Sequence, residues 1–447
     1  MREIKSKLFI ETYGCQMNVS DSEVVVAILQ QHNFELTQSP ENADLILINT
    51  CSIRENAEQR VRNRLDSFKN YKKRNKKLII GMIGCMAERL KEKLLEEEPV
   101  IDLIAGPDAY RDLPALIRSA ESGQKAVNTL LSVEETYGDL SPVRLDDKGV
   151  SAFISIMRGC DNLCAYCVVP FTRGRERSRD PQSVLRETGE LFDQGYREVT
   201  FLGQNVNSYK WSVNGNSTDF PDLLGKVAVA YPLLRIRFST SHPKDLSDKL
   251  LQTIAAHTNI CRSIHLPVQS GSNEILKKMN RKYTREWYLE RISAIRRIIP
   301  GSSISTDIIT GFCGETEEDH QQTLSLMSEA GFDFAFMFSY SERPGTFAAK
   351  HLPDDVPSDI KTRRLNEIIT LQSQLSLASK QSDLGRTYEV LVEGFSKKSN
   401  NFMMGRTSQN KVAVFPAEGI ESGTYVNVKI NKVSSATLTG TVFDLAD

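Results

Sequence analysis

Cys160, Cys164 and Cys167 stand together in the run Arg158-Gly-Cys-Asp-Asn-Leu-Cys-Ala-Tyr-Cys167, with no fourth cysteine close behind. Thiolates at C-x3-C-x2-C spacing can hold an iron–sulfur cluster, which ordinarily takes four protein ligands. Three would leave one iron of a four-iron cube open, and an open position is what a metal site needs to bind and activate a small molecule. A zinc ion completed by a distant ligand is the alternative chemistry, and buried free thiols are the alternative without chemistry. Zinc sites usually show paired C-x2-C units or Cys/His mixtures, and no histidine lies between Cys85 and Trp211.

Three further cysteines close three similar runs. Residues 7–15, 43–51 and 77–85 are apolar, strand-like stretches ending in Cys15, Cys51 and Cys85. These cysteines are 36 and 34 residues apart, the length of one strand plus a crossover helix; 21–31 and 57–71 read as the helices. Short strands alternating with helices imply a parallel sheet. All strands of such a sheet finish on one edge, where ligands bind. Three thiolates would converge there and suggest a second cluster, again with an open iron. Cysteine also fills strand ends for packing alone, but three at matching positions favour ligation. Cys261 and Cys313 have no ligand-like spacing and read as structural.

Positioning six thiolates needs an extensive scaffold, and 447 residues suit roughly two to four domains. An apolar content of 40% and a charged content of 25% describe an ordinary globular chain. The net charge of −1 carries no global nucleic-acid signal, so any RNA contact must come from local basic clusters. The N-terminus shows no apolar leader and no run is long enough to span a membrane, so a cytoplasmic address is expected. In that compartment eight cysteines favour metal or catalysis over disulfides.

Between about 151 and 341, six strand-like runs at 152–157, 198–202, 235–239, 263–268, 303–309 and 332–340 alternate with helical stretches. Six repeats suit an open or partial β/α barrel whose C-terminal strand ends carry the chemistry. The cysteine loop follows the first strand, and its spacing resembles the signature of the radical S-adenosylmethionine (SAM) enzymes. The amine and carboxylate of SAM can chelate an open iron while an electron cleaves its sulfonium. Polar residues fall at the later strand ends: Gln204 and Asn205, then Ser239 to His242, then Gln269, Ser270 and Gly271, then Gly311. Their amides and hydroxyls suit the methionyl, ribose and adenine groups of SAM, and Gly271 and Gly311 would permit close backbone approach. Each taken alone is more often a turn former. His242 reads as a hydrogen-bonded strand-end histidine. Tyr166 could shield the cluster, contact adenine or simply pack.

Residues 354–382 read as a mostly helical connector, and beyond it β runs at 387–392, 411–415, 425–430 and 437–442 suggest a small β-barrel. Lys397, Lys398, Arg406 and Lys411 form a possible basic patch on it, although a purely stabilising appendage is the plainer reading. Lys69, Lys72, Lys73, Arg74, Lys76 and Lys77 read as a solvated face. Arg173, Arg175, Arg177 and Arg179, directly after the cysteine loop, are the better candidates for phosphate contacts.

Together these features resemble the methylthiotransferase family of radical SAM enzymes over essentially the whole chain. Tyr13-Gly-Cys-Gln-Met-Asn18, Asn49-Thr-Cys-Ser-Ile-Arg-Glu-Asn-Ala57 and Phe201-Leu-Gly-Gln-Asn-Val-Asn-Ser-Tyr209 look like the branch that modifies isopentenylated adenosine in tRNA. The branch acting on a ribosomal protein typically has Pro-Lys in place of Gln16-Met17, and Cys313 stands where many relatives have proline. The resemblance implies an α/β multidomain fold: an N-terminal parallel α/β sheet domain (1–135), a central partial (β/α)6 radical SAM barrel with helical connector (148–382), and a C-terminal small antiparallel β-barrel of the TRAM type (383–447). It implies two [4Fe–4S] clusters, one on Cys160, Cys164 and Cys167 that cleaves SAM and an auxiliary one on Cys15, Cys51 and Cys85. One SAM would methylate a sulfur species on the auxiliary iron. A second would yield the 5′-deoxyadenosyl radical that activates C2 of an isopentenylated adenosine in the tRNA anticodon loop. A reductant such as flavodoxin or ferredoxin, a monomeric state and no membrane partner complete the expectation. The same chemistry on threonylcarbamoyl-adenosine tRNA or on a ribosomal protein is a close rival. A non-catalytic iron–sulfur RNA-binding or electron-transfer protein is a distant one.

Overall fold

In the computed structural model, residues 5–51, 55–146 and 149–445 are described. The N-terminal strands β1 (Ser6–Thr12), β2 (Phe34–Leu36), β3 (Leu45–Thr50), β4 (Ile79–Gly84), β5 (Leu103–Ala105) and β6 (Ala126–Asn128) form one sheet in the order β2-β1-β3-β4-β5-β6. Every pairing is parallel. The central strands β3 and β4 are buried along their whole length because helices cover both faces. Leu45, Leu47, Ile79 and Ile83 meet α1 (Gln16–Gln30) and the later α5 (Leu113–Glu121). Ile46, Ile48, Ile80 and Met82 meet α2 (Glu55–Arg74). Two short helices, α3 (Cys85–Leu90) and α4 (Glu92–Glu97), carry the chain from β4 towards β5.

The central unit contains the six expected strands, β7 (Ser151–Ser155), β10 (Glu198–Leu202), β13 (Arg235–Phe238), β14 (Ser263–His265), β15 (Ser303–Thr310) and β16 (Phe334–Ser339). They make two parallel three-stranded sheets, β7-β10-β13 and β14-β15-β16, linked by a parallel bridge between Ile236 and Ile260. The fourth strand ends at His265 rather than at 268: Leu266 still donates to the Ser305 carbonyl, but the Val268 amide is taken by Thr306 Oγ1. After β7 an antiparallel pair, β8 (Met157–Arg158) and β9 (Arg177–Ser178), ties together the two ends of the cysteine loop. Helices α7 (Pro181–Asp193), α8 (Phe220–Ala230), α9 (Asp248–Ala256), α11 (Arg285–Ile298), α12 (Glu317–Ala330) and α14 (Ser358–Gln381) cover the outside of the arc around one apolar core. Short helices α6 (Val169–Arg173), α10 (Asn273–Lys278) and α13 (Phe347–His351) and a hairpin, β11 (Lys210–Val213) with β12 (Asn216–Asp219), decorate it.

The last five strands, β17 (Thr387–Ser396), β18 (Ser399–Thr407), β19 (Val412–Pro416), β20 (Tyr425–Val433) and β21 (Leu438–Leu445), close into a barrel in the order β17-β18-β19-β21-β20. Strand β18 was not legible in the sequence: its Asn, Met and Gly residues are poor strand markers. The barrel is antiparallel, as expected, apart from a short parallel pairing of β19 with β21 at Ala413–Leu438 and Val414–Thr439. This barrel docks on the N-terminal ends of the central strands. Arg237 pairs with Glu198 at 2.7 Å and donates to the Thr407 carbonyl at 2.8 Å. Arg235 donates to the Arg406 carbonyl and pairs with Glu389, each at 2.7 Å. The opposite, C-terminal ends of the strands are left for chemistry. Arg237→Ala should strand the buried Glu198 carboxylate, at a cost on the order of 3–5 kcal/mol. The expected results are a lower denaturant midpoint and faster proteolysis between residues 382 and 387.

Candidate active site

Cys15 lies just past β1, Cys51 directly after β3 and Cys85 directly after β4, three neighbouring strands ending on one edge. Gly14 and Gly84 precede two of them with φ of +134° and +90°. A side chain at Gly14 would meet the Cys51 Cβ, and one at Gly84 would meet Asn49, so glycine allows these turns to close on each other. Two buried asparagines brace the edge. Asn18 Nδ2 donates to Asn49 Oδ1 at 2.9 Å, and Asn49 Nδ2 donates back to the Asn18 carbonyl at 2.8 Å. The Cys15 thiol reaches Asn18 Oδ1 at 3.2 Å. Its pKa is lowered to about 6 by a hydrogen bond with Cys51, against burial and with help from the Arg173 charge. Burial pushes the Cys85 thiol up, although Arg173 Nε lies 3.2 Å from its sulfur.

The second triad sits on the loop between β8 and β9. Burial raises Cys160 to about 11 and Cys167 to about 12. Gly159, at φ +75°, lies against the Arg175 carbonyl, leaving no room for a Cβ. Arg281 reaches the triad from beyond α10: it donates to the Cys164 sulfur at 3.3 Å and to the Pro267 carbonyl at 2.8 Å, with Tyr166 and Tyr283 beside it. A cavity of about 460 Å3 opens beside Cys164 and Cys167, lined by Leu163, Phe171, Lys277 and Phe347 among others.

A buried ion network joins the two triads. Asp21 on α1 accepts from Arg158 at 2.8 Å and from Arg173 at 2.7 Å. Arg158 stands two residues before Cys160, and Arg173 is the residue that touches Cys85. Asp108 pairs with Arg177 at 2.9 Å, while Arg179 pairs with Glu187. The expectation of phosphate contacts is therefore overturned for Arg173, Arg177 and Arg179, whose buried guanidiniums are taken up by carboxylates, two of them from distant parts of the chain and Glu187 from the helix that follows. Arg175 alone faces solvent, paired with Asp161 at 2.7 Å. The C-terminal basic patch shrinks likewise: Lys411 pairs with Asp383 and Arg406 with Glu393, leaving Lys397 and Lys398 exposed.

The residues expected to contact SAM divide into two groups. Gln204 keeps a buried Oε1 with no hydrogen-bond partner, and Ser239 remains partly open at its strand end. Asn205 is fully engaged, donating to Asp245 at 2.7 Å and accepting from the His242 amide at 2.9 Å. Gln269 is buried at φ +73° and bridges to Ile308. Ser270 and Gly271 pack on α12, where a Gly271 Cβ would lie 2.5 Å from the Gln322 carbonyl. Gly311 lies against Lys361 of α14. The close approaches read for both glycines are thus made to the chain's own helices. His242 is driven down to about 2 by burial and the Arg281 and Lys244 charges, and its ring accepts from the Lys244 amide. Cys261 and Cys313 are buried, and Cys313 packs in the apolar cluster of Ala165, Phe312 and Tyr340 behind the cysteine loop.

These donors fit iron–sulfur clusters. Each triad has one buried guanidinium at a sulfur, and Arg173 Nη1 is a buried donor with no partner. Among the described residues, no three His, Cys, Asp or Glu side chains stand close enough together to hold a metal ion. A four-iron cube spreads its thiolates over separate corners. Sequence reasoning found the thiols but missed Asp21, Arg158, Arg281 and the Asn18–Asn49 brace, whose partners lie too far along the chain to be paired by spacing.

Family models cover the three units: uncharacterized protein family UPF0004 over residues 7–106, the radical SAM superfamily over 154–327 and the TRAM domain over 381–443. A tRNA-2-methylthio-N(6)-dimethylallyladenosine synthase of Amoebophilus asiaticus is 59% identical, covering 98% of this chain and 93% of its own. One from Phocaeicola vulgatus is 58% identical, covering 97% and 95%. This chain belongs to the tRNA-2-methylthio-N(6)-dimethylallyladenosine synthase family. It is accordingly an enzyme of the radical SAM methylthiotransferase class. Radical SAM membership implies a [4Fe–4S] cluster and SAM. The radical SAM methyltransferase TsrM from Kitasatospora setae shares the fold at a TM-score of 0.58 and 16% identity, covering 77% of this chain and 75% of that one. The cobalamin-dependent radical enzyme OxsB gives 0.55 at 14%, covering 83% and 56%. No helix among the described residues is long and apolar enough to cross a membrane.

Proposed function

We propose that this chain attaches a methylthio group to C2 of N6-isopentenyladenosine next to the anticodon of tRNA, using two SAM molecules and a sulfur held at an auxiliary cluster. The observation that carries the reading is the continuous buried link from Cys85 through Arg173, Asp21 and Arg158 to the loop of Cys160. It supports reading the two three-thiolate sets as parts of one centre. Cys160, Cys164 and Cys167 would hold the SAM-cleaving cluster, and Cys15, Cys51 and Cys85 the auxiliary one. Bound there, the cofactors supply an electron, a carbon radical able to take hydrogen from an unreactive aromatic carbon, and the sulfur to be transferred.

The chain's own groups place these components. Arg281 and Arg173 offset thiolate charge in a buried setting, and Asn18 and Asn49 hold the auxiliary edge. The orphaned Gln204 Oε1 is an acceptor suited to the ammonium or ribose of SAM. Ser239, Gln269 and the Gly311 turn would shape the rest of that pocket, while Asn205, Ser270 and Gly271 act behind it. The target base must leave the anticodon stack to reach the centre, which single-stranded loops permit. We assign units 1–135, 148–382 and 383–447 to the auxiliary centre, SAM cleavage and the TRAM barrel. A cytoplasmic monomer reduced by a flavodoxin or ferredoxin completes the reading. The test is anaerobic turnover of reconstituted protein with SAM, reductant, sulfide and isopentenylated tRNA, read by nucleoside mass spectrometry. A methylthio-adenosine product is expected. Unmodified tRNA with abundant 5′-deoxyadenosine would move the search to another acceptor.

A further inference from the structure

Strands β14, β15 and β16 present two unlike faces. Ile264, Ile304 and Ile308 turn outward into the core beneath the helices, with Met337 packed against them. The opposite, interior face carries His265, Ser305 and Asp307 and, on β16, Phe334, Phe336 and Phe338. Register puts Ser305 opposite Phe334, Asp307 opposite Phe336 and Ile309 opposite Phe338. His265 lies 3.0 Å from Ser305 Oγ and 3.3 Å from Asp307 Oδ1. Phe336 meets the His265 ring edge-on at 5.9 Å and Phe334 at 4.9 Å. The three phenylalanines are nonetheless 49%, 45% and 40% exposed. The reason is topological: among the described residues β16 pairs only with β15 and β7 only with β10, so the arc is open between them and the rings line that opening. At its C-terminal end β16 leads to Tyr340, which packs on Phe312 at 4.9 Å, which in turn packs on Tyr166 beside Cys167. Strand alternation puts Phe334, Phe336, Phe338 and Tyr340 on one face, which leads from the opening to the cysteine loop.

Three adjacent exposed phenylalanines mark a binding surface for something apolar. The amino-acid, sulfonium and ribose groups of SAM are charged or hydrogen-bonding and find few partners on these rings, and the Asp307 carboxylate disfavours a phosphate. Resting on the function proposed above, we infer that Phe334, Phe336 and Phe338 receive the dimethylallyl substituent of the target adenosine, with the His265–Asp307 pair at the polar flank beside the base. A branched five-carbon group laid on these rings would be recognised by area, which a bare adenosine lacks.

The experiment is anaerobic binding of reconstituted holoenzyme with SAM to two anticodon stem-loop RNAs, one carrying dimethylallyladenosine and one adenosine. Wild-type protein should prefer the former by about 10- to 100-fold, the scale of a few buried methylenes. Phe336→Ala should cut that preference to about threefold or less, and Phe336→Leu, which keeps apolar area, should retain most of it. Because the ring is half exposed, thermal melting should separate this loss from misfolding. No preference in wild type would overturn the inference, as would a full preference in Phe334→Ala, Phe336→Ala and Phe338→Ala alike. An equal loss for both RNAs would mean that the rings stack the base, and would overturn the prenyl assignment. Preference for the dimethylallyl RNA with no methylthio product in turnover would keep the surface and remove the proposed reaction.

Discussion

Alanine at Cys15, Cys51 or Cys85 should leave reductive cleavage of SAM to 5′-deoxyadenosine running while methylthio-adenosine falls below detection. Alanine at Cys164 should abolish both. The contrast follows from where the thiols sit: one set on the edge of β1, β3 and β4, the other on the loop closed by β8 and β9. Losing one thiol from a three-thiolate set leaves two protein ligands, too few to keep a cube that already has an open iron. Iron and sulfide per chain should accordingly drop by about one cluster in every variant. Coupled assays of 5′-deoxyadenosine and modified nucleoside, run on the same reconstituted samples, make the comparison. Normal product from the Cys15, Cys51 or Cys85 variants would sink the two-cluster reading. Loss of SAM cleavage in those same variants would show instead that the N-terminal thiols serve the first centre.

Cysteine spacing and strand periodicity are local properties, and what depends on them was legible in the sequence. The six thiols, the parallel N-terminal sheet and all six central strands follow from apolar runs and the residues that end them. The charged residues were not legible in this way. Arg173, Arg177 and Arg179 looked like a phosphate-binding stripe, because four arginines at alternate positions ordinarily face water. Their partners, Asp21, Asp108 and Glu187, come from α1, the loop after β5 and α7. Nothing in the spacing tells a buried guanidinium from a solvated one until the fold brings those carboxylates over it. Gly271 and Gly311 show the same limit: the need for a missing Cβ was readable, but whether a ligand or α12 and α14 fills the space is a tertiary fact. The aromatic residues 334, 336 and 338 were counted within a strand, and only the open edge of the arc makes them a surface.

Asp21→Asn should be the most disruptive change outside the thiols. The carboxylate is fully buried, and although burial pushes its pKa up, Arg158 and Arg173 together hold it below the usual carboxylate range. Asparagine keeps the volume and removes the charge, leaving two buried guanidiniums without their shared counter-ion. Breaking such a pair costs about 3–5 kcal/mol, whereas neutralising Glu97, which pairs with Arg62 on the surface, should cost about 1 kcal/mol or less. Urea titration of the two variants measures the difference. The sign with pH follows from the depressed pKa: the stabilisation is present above the unfolded carboxylate range and is lost as pH falls through the folded value. Asp21→Asn should therefore flatten the acid limb of wild-type stability. Its chemical effect should also differ from that of any single cysteine. Arg158 leads into the Cys160 loop and Arg173 touches Cys85, so cluster content should fall at both centres and SAM cleavage and methylthio transfer should decline together. Intact SAM cleavage with lost transfer in Asp21→Asn would mean that the network serves the auxiliary edge alone. Wild-type stability and activity would mean that the two triads are held in register by the surrounding packing, not by this ion network.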